Sequence, residues 1–237
     1  MAIAVIGGTG DEGFGLALRL ARANEDVIIG SRSEERGAAA AERAAGILGD
    51  GPRGSVEGTS NEQAAAACDV VFVTVPFAGQ TDIYRSIAGS LRPGAIVCDT
   101  TTPLATAVGG RAWQVITPWA GSAVEQAKAL LPGGIRLVSG FHTVGAEALQ
   151  KLERSMEGDV LLCGADAEAK ATIGALVEKI PNLRWVDAGP LSMARIVERL
   201  TAVLVSVNRN YSLHDAGIAL TGRDSWGPAT RTSKKDG

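Results

Sequence analysis

Cysteine is scarce. Cys68, Cys98 and Cys163 are the only three in 237 residues, and they stand far apart beside apolar runs. No CxxC and no Cys–His grouping offers the spacing of a zinc site, and no disulfide framework is suggested. They read as free, buried thiols in a reducing cytosol, so a cytoplasmic protein without a metal is expected. Basic charge is not in excess either: 23 Lys and Arg against 26 Asp and Glu leave a net charge of −3. That balance lacks the overall positive bias of a nucleic-acid binder. No apolar run approaches the roughly 20 residues of a membrane-spanning helix. The apolar start is too short for a secretory signal and has no basic leader. With neither nucleic acid nor membrane as an expected partner, what is left is an ordinary globular balance, 46% hydrophobic and 21% charged. The length suits one large domain, or a nucleotide domain with a smaller companion.

The chain is organised around its first stretch. Ala2 to Ile6 is a short apolar run that ends in Gly8-x-Gly10-x-x-Gly13, and a helix-patterned segment begins at once. Strand, tight turn and helix start form the setting in which a glycine fingerprint signals a dinucleotide site. Gly8 allows the turn, Gly10 has no side chain to hold a pyrophosphate off the backbone, and Gly13 lets the helix pack close to the strand. The N–H groups of the first helical turn then offer a partial positive charge to the phosphates. A glycine-rich turn without a ligand is the alternative, and the context favours the dinucleotide.

The residues after the second strand, Asp26 to Gly30, bear on which dinucleotide. An NAD site usually places Asp or Glu here to accept from the ribose diol. This chain has Ser31, Arg32 and Ser33 instead, with Arg36 about one turn on. An acid would repel a 2′-phosphate, whereas a hydroxyl and a guanidinium hydrogen-bond it. Ser33 can also serve as a helix N-cap and Arg32 as a solvated surface residue; both readings can hold together. NADP is therefore expected over NAD.

Further apolar runs predict strands near Ser55–Glu57, Asp69–Val75, Ala95–Asp99 and Ile135–Gly140. A helix is predicted to start at a capping Asn61, and another ends at Pro132-Gly133-Gly134. In an open parallel sheet, ligands lie beyond the carboxyl ends of the strands, so Thr74 to Phe77 should border the cofactor. After Phe141 come two more strands, at Val160–Cys163 and Leu183–Asp187, with a helix capped by Asp166 between them. A long helix follows from Leu191 to Ser212, whose apolar face is Met193, Ile196, Val197, Leu200, Val203, Leu204 and Val207. The expected fold class is α/β: a Rossmann doubly wound parallel sheet over residues 1–141, with a smaller C-terminal α+β domain over 142–222. Residues 223–237 form a polar tail with Trp226 as its one apolar anchor.

These residues resemble the NADPH-dependent reductases of the deazaflavin coenzyme F-420. The resemblance runs from about Met1 to Leu220. It rests on Gly7 to Gly10 with Gly13 and Gly15 to Ala21, on Gly30-Ser31-Arg32, Thr74-Val75-Pro76, His142-Thr143 and Cys163-Gly164, and most specifically on Asp187 to Leu191, Leu200-Thr201 and Asn208. It implies reversible hydride transfer between NADP(H) and F-420 in a cleft between the two domains of a homodimeric protein. It also implies that Gly8, Thr9, Gly10, Asp11, Glu12 and Gly13, with Ser31, Arg32 and Arg36, hold NADP. Thr74, Val75, Pro76, Phe77, Gln80, Thr101, His142, Thr143, Val144 and Ala146 would lie near the nicotinamide and deazaflavin. Ala216 falls where a C-terminal contact to the deazaflavin is expected. The stretch from Thr101 to Gly121 departs from the family pattern, and the tail after Gly222 is additional.

Hydride transfer to a carbonyl leaves an alkoxide that needs a general acid. The 3-hydroxyacid dehydrogenases, similar in architecture, use a lysine on the long C-terminal helix, yet Leu191 to Ser212 contains none. Arg195, Arg199 and Arg209 stay protonated and cannot replace it. A deazaflavin spreads the arriving charge over a conjugated ring, so a site without a dedicated acid suits it. His142 could hydrogen-bond the acceptor or fix the backbone at the domain junction; both remain open. So do two other functions: an NADPH-dependent reductase of a flavin, imine or other small electrophile, and an NADPH-binding protein without turnover. Glu198, Thr201 and Asn208 share the polar side of the last helix without an assigned role.

Overall fold

The computed structural model describes residues 2–51 and 53–222. The expected tail, 223–237, lies outside the described residues. The chain begins with β1 (Ala2–Ile6), α1 (Asp11–Arg22), β2 (Asp26–Ser31), α2 (Glu34–Leu48), β3 (Val56–Ser60), α3 (Asn61–Ala67), β4 (Val70–Val73), α4 (Phe77–Ile87) and β5 (Ile96–Asp99). It continues with a 3-10 turn (Ala105–Val108), α5 (Ala123–Lys128), β6 (Arg136–Ser139), α6 (Ala146–Gln150), β7 (Gly158–Gly164), α7 (Ala167–Glu178) and β8 (Leu183–Gly189). A second 3-10 turn (Leu191–Met193), α8 (Ala194–Val197) and α9 (Leu200–Tyr211) complete it.

The strands make one sheet in the order β3-β2-β1-β4-β5-β6-β7-β8. Its first six positions follow the doubly wound order, which reverses direction between β1 and β4. All of those pairs are parallel. Alternate residues of each strand feed opposite faces. Ile3, Val5, Phe72 and Leu162 join the core under α1 and α7, while Ala4, Ile6, Val71 and Leu161 join the core under α3, α4 and α5.

At the expected domain junction the sheet does not break. Phe141 takes a left-handed backbone (φ 68°) just past β6, the chain reverses, and β7 pairs antiparallel to β6 before β8 pairs parallel to β7. The C-terminal segment thus adds two strands to the same sheet. Its long helix is also not continuous. Helical pairing is interrupted at Glu198 and Arg199, where the Glu198 carboxylate turns inward to accept from the N–H groups of Ala123 (2.8 Å) and Val124 (3.1 Å), capping α5. Of the expected apolar face, Val197 is buried but Ile196 and Val203 are 60% and 57% exposed.

Two further elements are held by polar contacts that hydrophobic periodicity does not encode. Arg19 is almost fully buried on α1 and donates to the carbonyls of Ala148, Leu149, Lys151 and Arg154, fastening α6 and the loop after it. Ser60, not the expected Asn61, caps α3, in a reciprocal capping box with Gln63. Asn61 is buried and its Oδ1 accepts from the Gly7 N–H (3.2 Å), tying α3 to the fingerprint turn. The three cysteines are free and buried. Among the described residues no helix is long and apolar enough to cross a membrane.

Candidate active-site cleft

The cleft opens where the sheet reverses direction, beyond the carboxyl ends of β1, β4, β5 and β6, and has a volume of about 920 Å³. Its floor is the turn from β1 into α1. Gly7 takes the left-handed conformation (φ 73°). Gly8 is needed for close approach: a Cβ there would lie 2.7 Å from the Val5 carbonyl. Its N–H instead donates to Val5 O and Gly30 O, and Gly10 N–H donates to Gly7 O. Gly10 then starts α1 with no side-chain cap, so the first-turn N–H groups are left for a ligand.

The structure gathers most of the expected contacts into this one space. Gly10, Asp11 and Glu12 line it together with Thr74, Val75, Pro76, Thr101, His142, Thr143, Val144, Ala146 and Ala216. Gly8 and Gly13 are buried beneath the turn, and Thr9 stands beside it, half-buried. Ser31 is buried at the end of β2, next to exposed Arg32. Arg36 is exposed in the first turn of α2, whose N-cap is Ser33, accepting from Arg36 N–H. Neither Arg32 nor Arg36 has a carboxylate partner among the described residues. Phe77 begins α4 outside the lining. Gln80 is brought in only at second hand: fully buried, its amide donates to Asp99 Oδ2 and to the Ala123 carbonyl (3.0 Å each).

Asp99, which composition and spacing did not single out, is the hub behind the β5 wall. It is fully buried and accepts from Tyr84 Oη (2.7 Å), Gln80 Nε2 and Thr101 N–H (2.9 Å), so it fixes the Thr100–Thr101 exit. Burial pushes its carboxyl up to about 6. The visible signal was an acid ending an otherwise apolar strand, which is seldom tolerated without partners.

His142 is buried against the same wall. Its Nε2 lies 2.7 Å from Ser139 Oγ and its Nδ1 3.3 Å from Thr102 Oγ1. Thr201 of α9 donates to the His142 carbonyl (2.7 Å) and lies 3.0 Å from Thr102 Oγ1. Each hydroxyl has one proton. With the Thr201 proton spent on the carbonyl, Thr102 must donate to Thr201, Nδ1–H to Thr102, and Ser139 to Nε2. Burial lowers the imidazole to about 4, so the ring is neutral at pH 7 with both nitrogens engaged inside the protein. Asn208, on the same helix, accepts from Ala216 N–H (3.0 Å) and lines the cleft. His214 is exposed and faces Glu147.

Glu12, expected among the NADP contacts, is an acid of the cleft lining. It is half-buried in the fingerprint turn, hydrogen-bonded to the Thr100 side chain, and desolvation raises it from 4.5 to about 8, with the nearby Asp99 carboxyl adding to the rise. Burial likewise raises Glu198 to about 8. An acid whose folded-state pKa is raised holds its proton more tightly in the folded chain. Its contribution is complete below pH 4.5 and is lost as pH climbs towards 8, so stability should decline across that window. His142 acts in the opposite sense, losing stability as pH falls from 6.5 towards 4. Glu12→Gln should flatten the alkaline decline, leaving the share of Glu198. Urea midpoints of both proteins from pH 5 to 9 test this, and parallel curves would remove Glu12 as a titrating group.

Comparison with known proteins identifies the family. Residues 2–103 match the family model described as "NADP oxidoreductase coenzyme F420-dependent". The chain is 40% identical over 222 residues to the F420-dependent NADP reductase of Methanothermobacter thermautotrophicus, covering 93% of this chain and 95% of that one. It is 37% identical over 222 residues to the protein of the same name from Methanocaldococcus jannaschii, covering 93% and 98%. A crystal structure described as a candidate F420-dependent NADP-reductase from Arthrobacter sp. FB24 shares the fold, with a TM-score of 0.76 at 23% identity over 92% of this chain and 98% of that one. With its fingerprint turn, its strand order and a likeness that spans nearly the whole of both chains, the protein belongs to the family of F420-dependent NADP reductases.

Proposed function

We infer that this chain transfers a hydride between NADP(H) and coenzyme F-420. The observation that carries the inference is a single cleft joining an uncapped helix N-terminus to the β4, β5 and β6 exits, in a chain 40% identical to an F420-dependent NADP reductase. The residues fit NADP. The first turn of α1 offers N–H groups with no side-chain cap, and Arg32 and Arg36, without a carboxylate partner among the described residues, offer two guanidiniums where an adenosine 2′-phosphate would be recognised. Glu12 keeps its proton at neutral pH and so sets no negative charge against the phosphates.

Bound in this cleft, NADPH would supply a hydride to a deazaflavin, whose conjugated ring would spread the charge that a carbonyl would place on a single oxygen. The protein's task is then alignment and exclusion of water. No lysine stands on α8 or α9 to protonate an alkoxide, and neutral His142 serves as a positioning residue, locking Thr102 and Thr201 across the cleft. In this reading residues 1–141 hold NADP and 142–222 complete the acceptor side, with Thr143, Val144, Ala146 and Ala216 facing the deazaflavin. The test follows deazaflavin absorbance with purified protein, NADPH and oxidised F-420. NADPH-dependent bleaching without added flavin is expected; NADPH binding with no bleaching would retire F-420 as the acceptor and turn the search to flavins and imines.

The assembly is proposed to be a homodimer in the cytoplasm, where three free thiols stay reduced. Ile196 and Val203 lie seven residues apart on α8 and α9, and both are exposed, as is Tyr211. Such a face is covered in a stable assembly. Light scattering should give twice the chain mass, and Val203→Glu should halve it; a wild-type monomer would sink this part of the reading.

A further inference from the structure

Just outside the cleft lining, two arginines and a tryptophan meet that nothing above uses. From cleft-lining Leu104 the chain runs out through a tight turn at Arg111–Gln114 and returns beside its start, with Ala105 N–H donating to Gln114 O and Leu104 bridging to Val115. The turn carries Trp113, half-buried, and two guanidiniums lie over its indole. The Arg209 Cζ lies 4.1 Å from the ring centroid and the Arg111 Cζ 5.3 Å. Arg209 follows Asn208, itself a cleft residue on α9. The two arginines come from segments almost a hundred residues apart and meet on one ring at the rim.

Four arginines of the chain, Arg92, Arg154, Arg184 and Arg195, face carboxylates. Arg111 and Arg209 face none among the described residues, and neither side chain makes a hydrogen bond there. One indole can attract two cations, but it does not cancel their mutual repulsion. An anion between them would. Planar guanidiniums stacked on a ring keep their N–H edges free for phosphate or carboxylate oxygens.

We propose that Arg111, Trp113 and Arg209 form an anion clamp at the cleft mouth that binds the negatively charged side chain of the hydride acceptor. In the reading above, the phosphates of NADP(H) are met by the α1 N-terminus, which follows β1, and by Arg32 and Arg36, which follow β2. The anion at this rim therefore belongs to the other substrate. The ligand class is a planar electrophile bearing a flexible phosphate or polycarboxylate chain, and this assignment rests on the reading of F-420 as acceptor, whose ring carries such a chain.

The test compares steady-state kinetics of wild type, Arg111→Gln/Arg209→Gln and Arg209→Glu, using F-420 and the same deazaflavin without its charged chain. Both positions are exposed, so the variants are expected to fold, with unaltered thermal midpoints as the check. The clamp predicts that the KM for F-420 rises roughly tenfold or more in the double variant and further in Arg209→Glu, with kcat unchanged. The KM for the chainless ring should stay put. Salt should raise the wild-type KM for F-420 and have little effect on that of the double variant. Equal changes for both acceptors, or none, would overturn the clamp. Wild-type silence with F-420 would instead overturn the reading of the reaction, and the clamp with it.

Discussion

Gly13→Ala is expected to abolish measurable NADPH binding and to lower the unfolding midpoint in the same protein. A Cβ at this position would run into Thr74 Oγ1 and lie 2.8 Å from Gly8 Cα and 3.1 Å from the Gly7 carbonyl. None of these neighbours can give way freely. Thr74 Oγ1 is committed to the Ile6 carbonyl at 2.9 Å, and the other two atoms are backbone of the turn itself. Relief requires α1 to lift off the sheet, which loosens Leu16, Ala17 and Leu20 in the core. Forced overpacking of this kind costs typically 1–3 kcal/mol, occasionally more. It also moves the helix N-terminus that must meet the pyrophosphate. Gly46→Ala is the control. Gly46 sits in α2, where a Cβ would meet nothing within 4 Å, and the substitution should stabilise by about 0.4–1 kcal/mol. Thermal unfolding and fluorescence titration with NADPH read both. A Gly13→Ala protein with wild-type midpoint and affinity would show that the turn tolerates a side chain and is not the phosphate site.

The parts of this molecule that were legible beforehand are those written in local spacing. The glycine fingerprint, the Ser33 and Asp166 caps and the apolar strands each depend on residues close in sequence, and each appears where expected. What escaped is made of contacts between distant residues. The interruption at Glu198 reflects a carboxylate reaching across 75 positions to cap α5, a demand that periodicity cannot register. Asn61 reads as a cap because it has a cap's chemistry, yet the neighbouring Ser60 takes that role and frees the amide for Gly7. Gln80 carries the right chemistry for a ligand, but Asp99 and Ala123 claim it first. His142 was open between two roles because its partners Ser139, Thr102 and Thr201 come from three separate segments. A boundary between residues 141 and 142 was expected from a change of pattern, yet one sheet runs through it. Its physical form, a reversal of strand direction within one sheet, depends on the left-handed backbone of Phe141 and on pairing that no local signal encodes.

Arg32→Ala is expected to raise the KM for NADPH by roughly 10- to 100-fold, the worth of about one or two charge-assisted hydrogen bonds, while the KM for NADH barely moves. The side chain is exposed at the end of β2 and makes no ion pair among the described residues. Its removal should therefore leave the unfolding midpoint unchanged, which separates recognition from folding. Arg32→Lys should fall between the two, because an ammonium keeps the charge but not the planar fork. Ser33→Ala supplies the contrast: it deletes the α2 N-cap at Arg36 N–H, should cost about 1 kcal/mol of stability, and should affect both nucleotides alike. Arg36 stands one turn on and is exposed as well, so Arg32→Ala/Arg36→Ala should lose more than either single change if both guanidiniums meet the same phosphate. Equal losses for NADPH and NADH in Arg32→Ala would mean that the guanidinium supports the adenosine side of the site in general. The specificity for the phosphorylated nucleotide would then have to reside in the buried Ser31 hydroxyl and in Arg36.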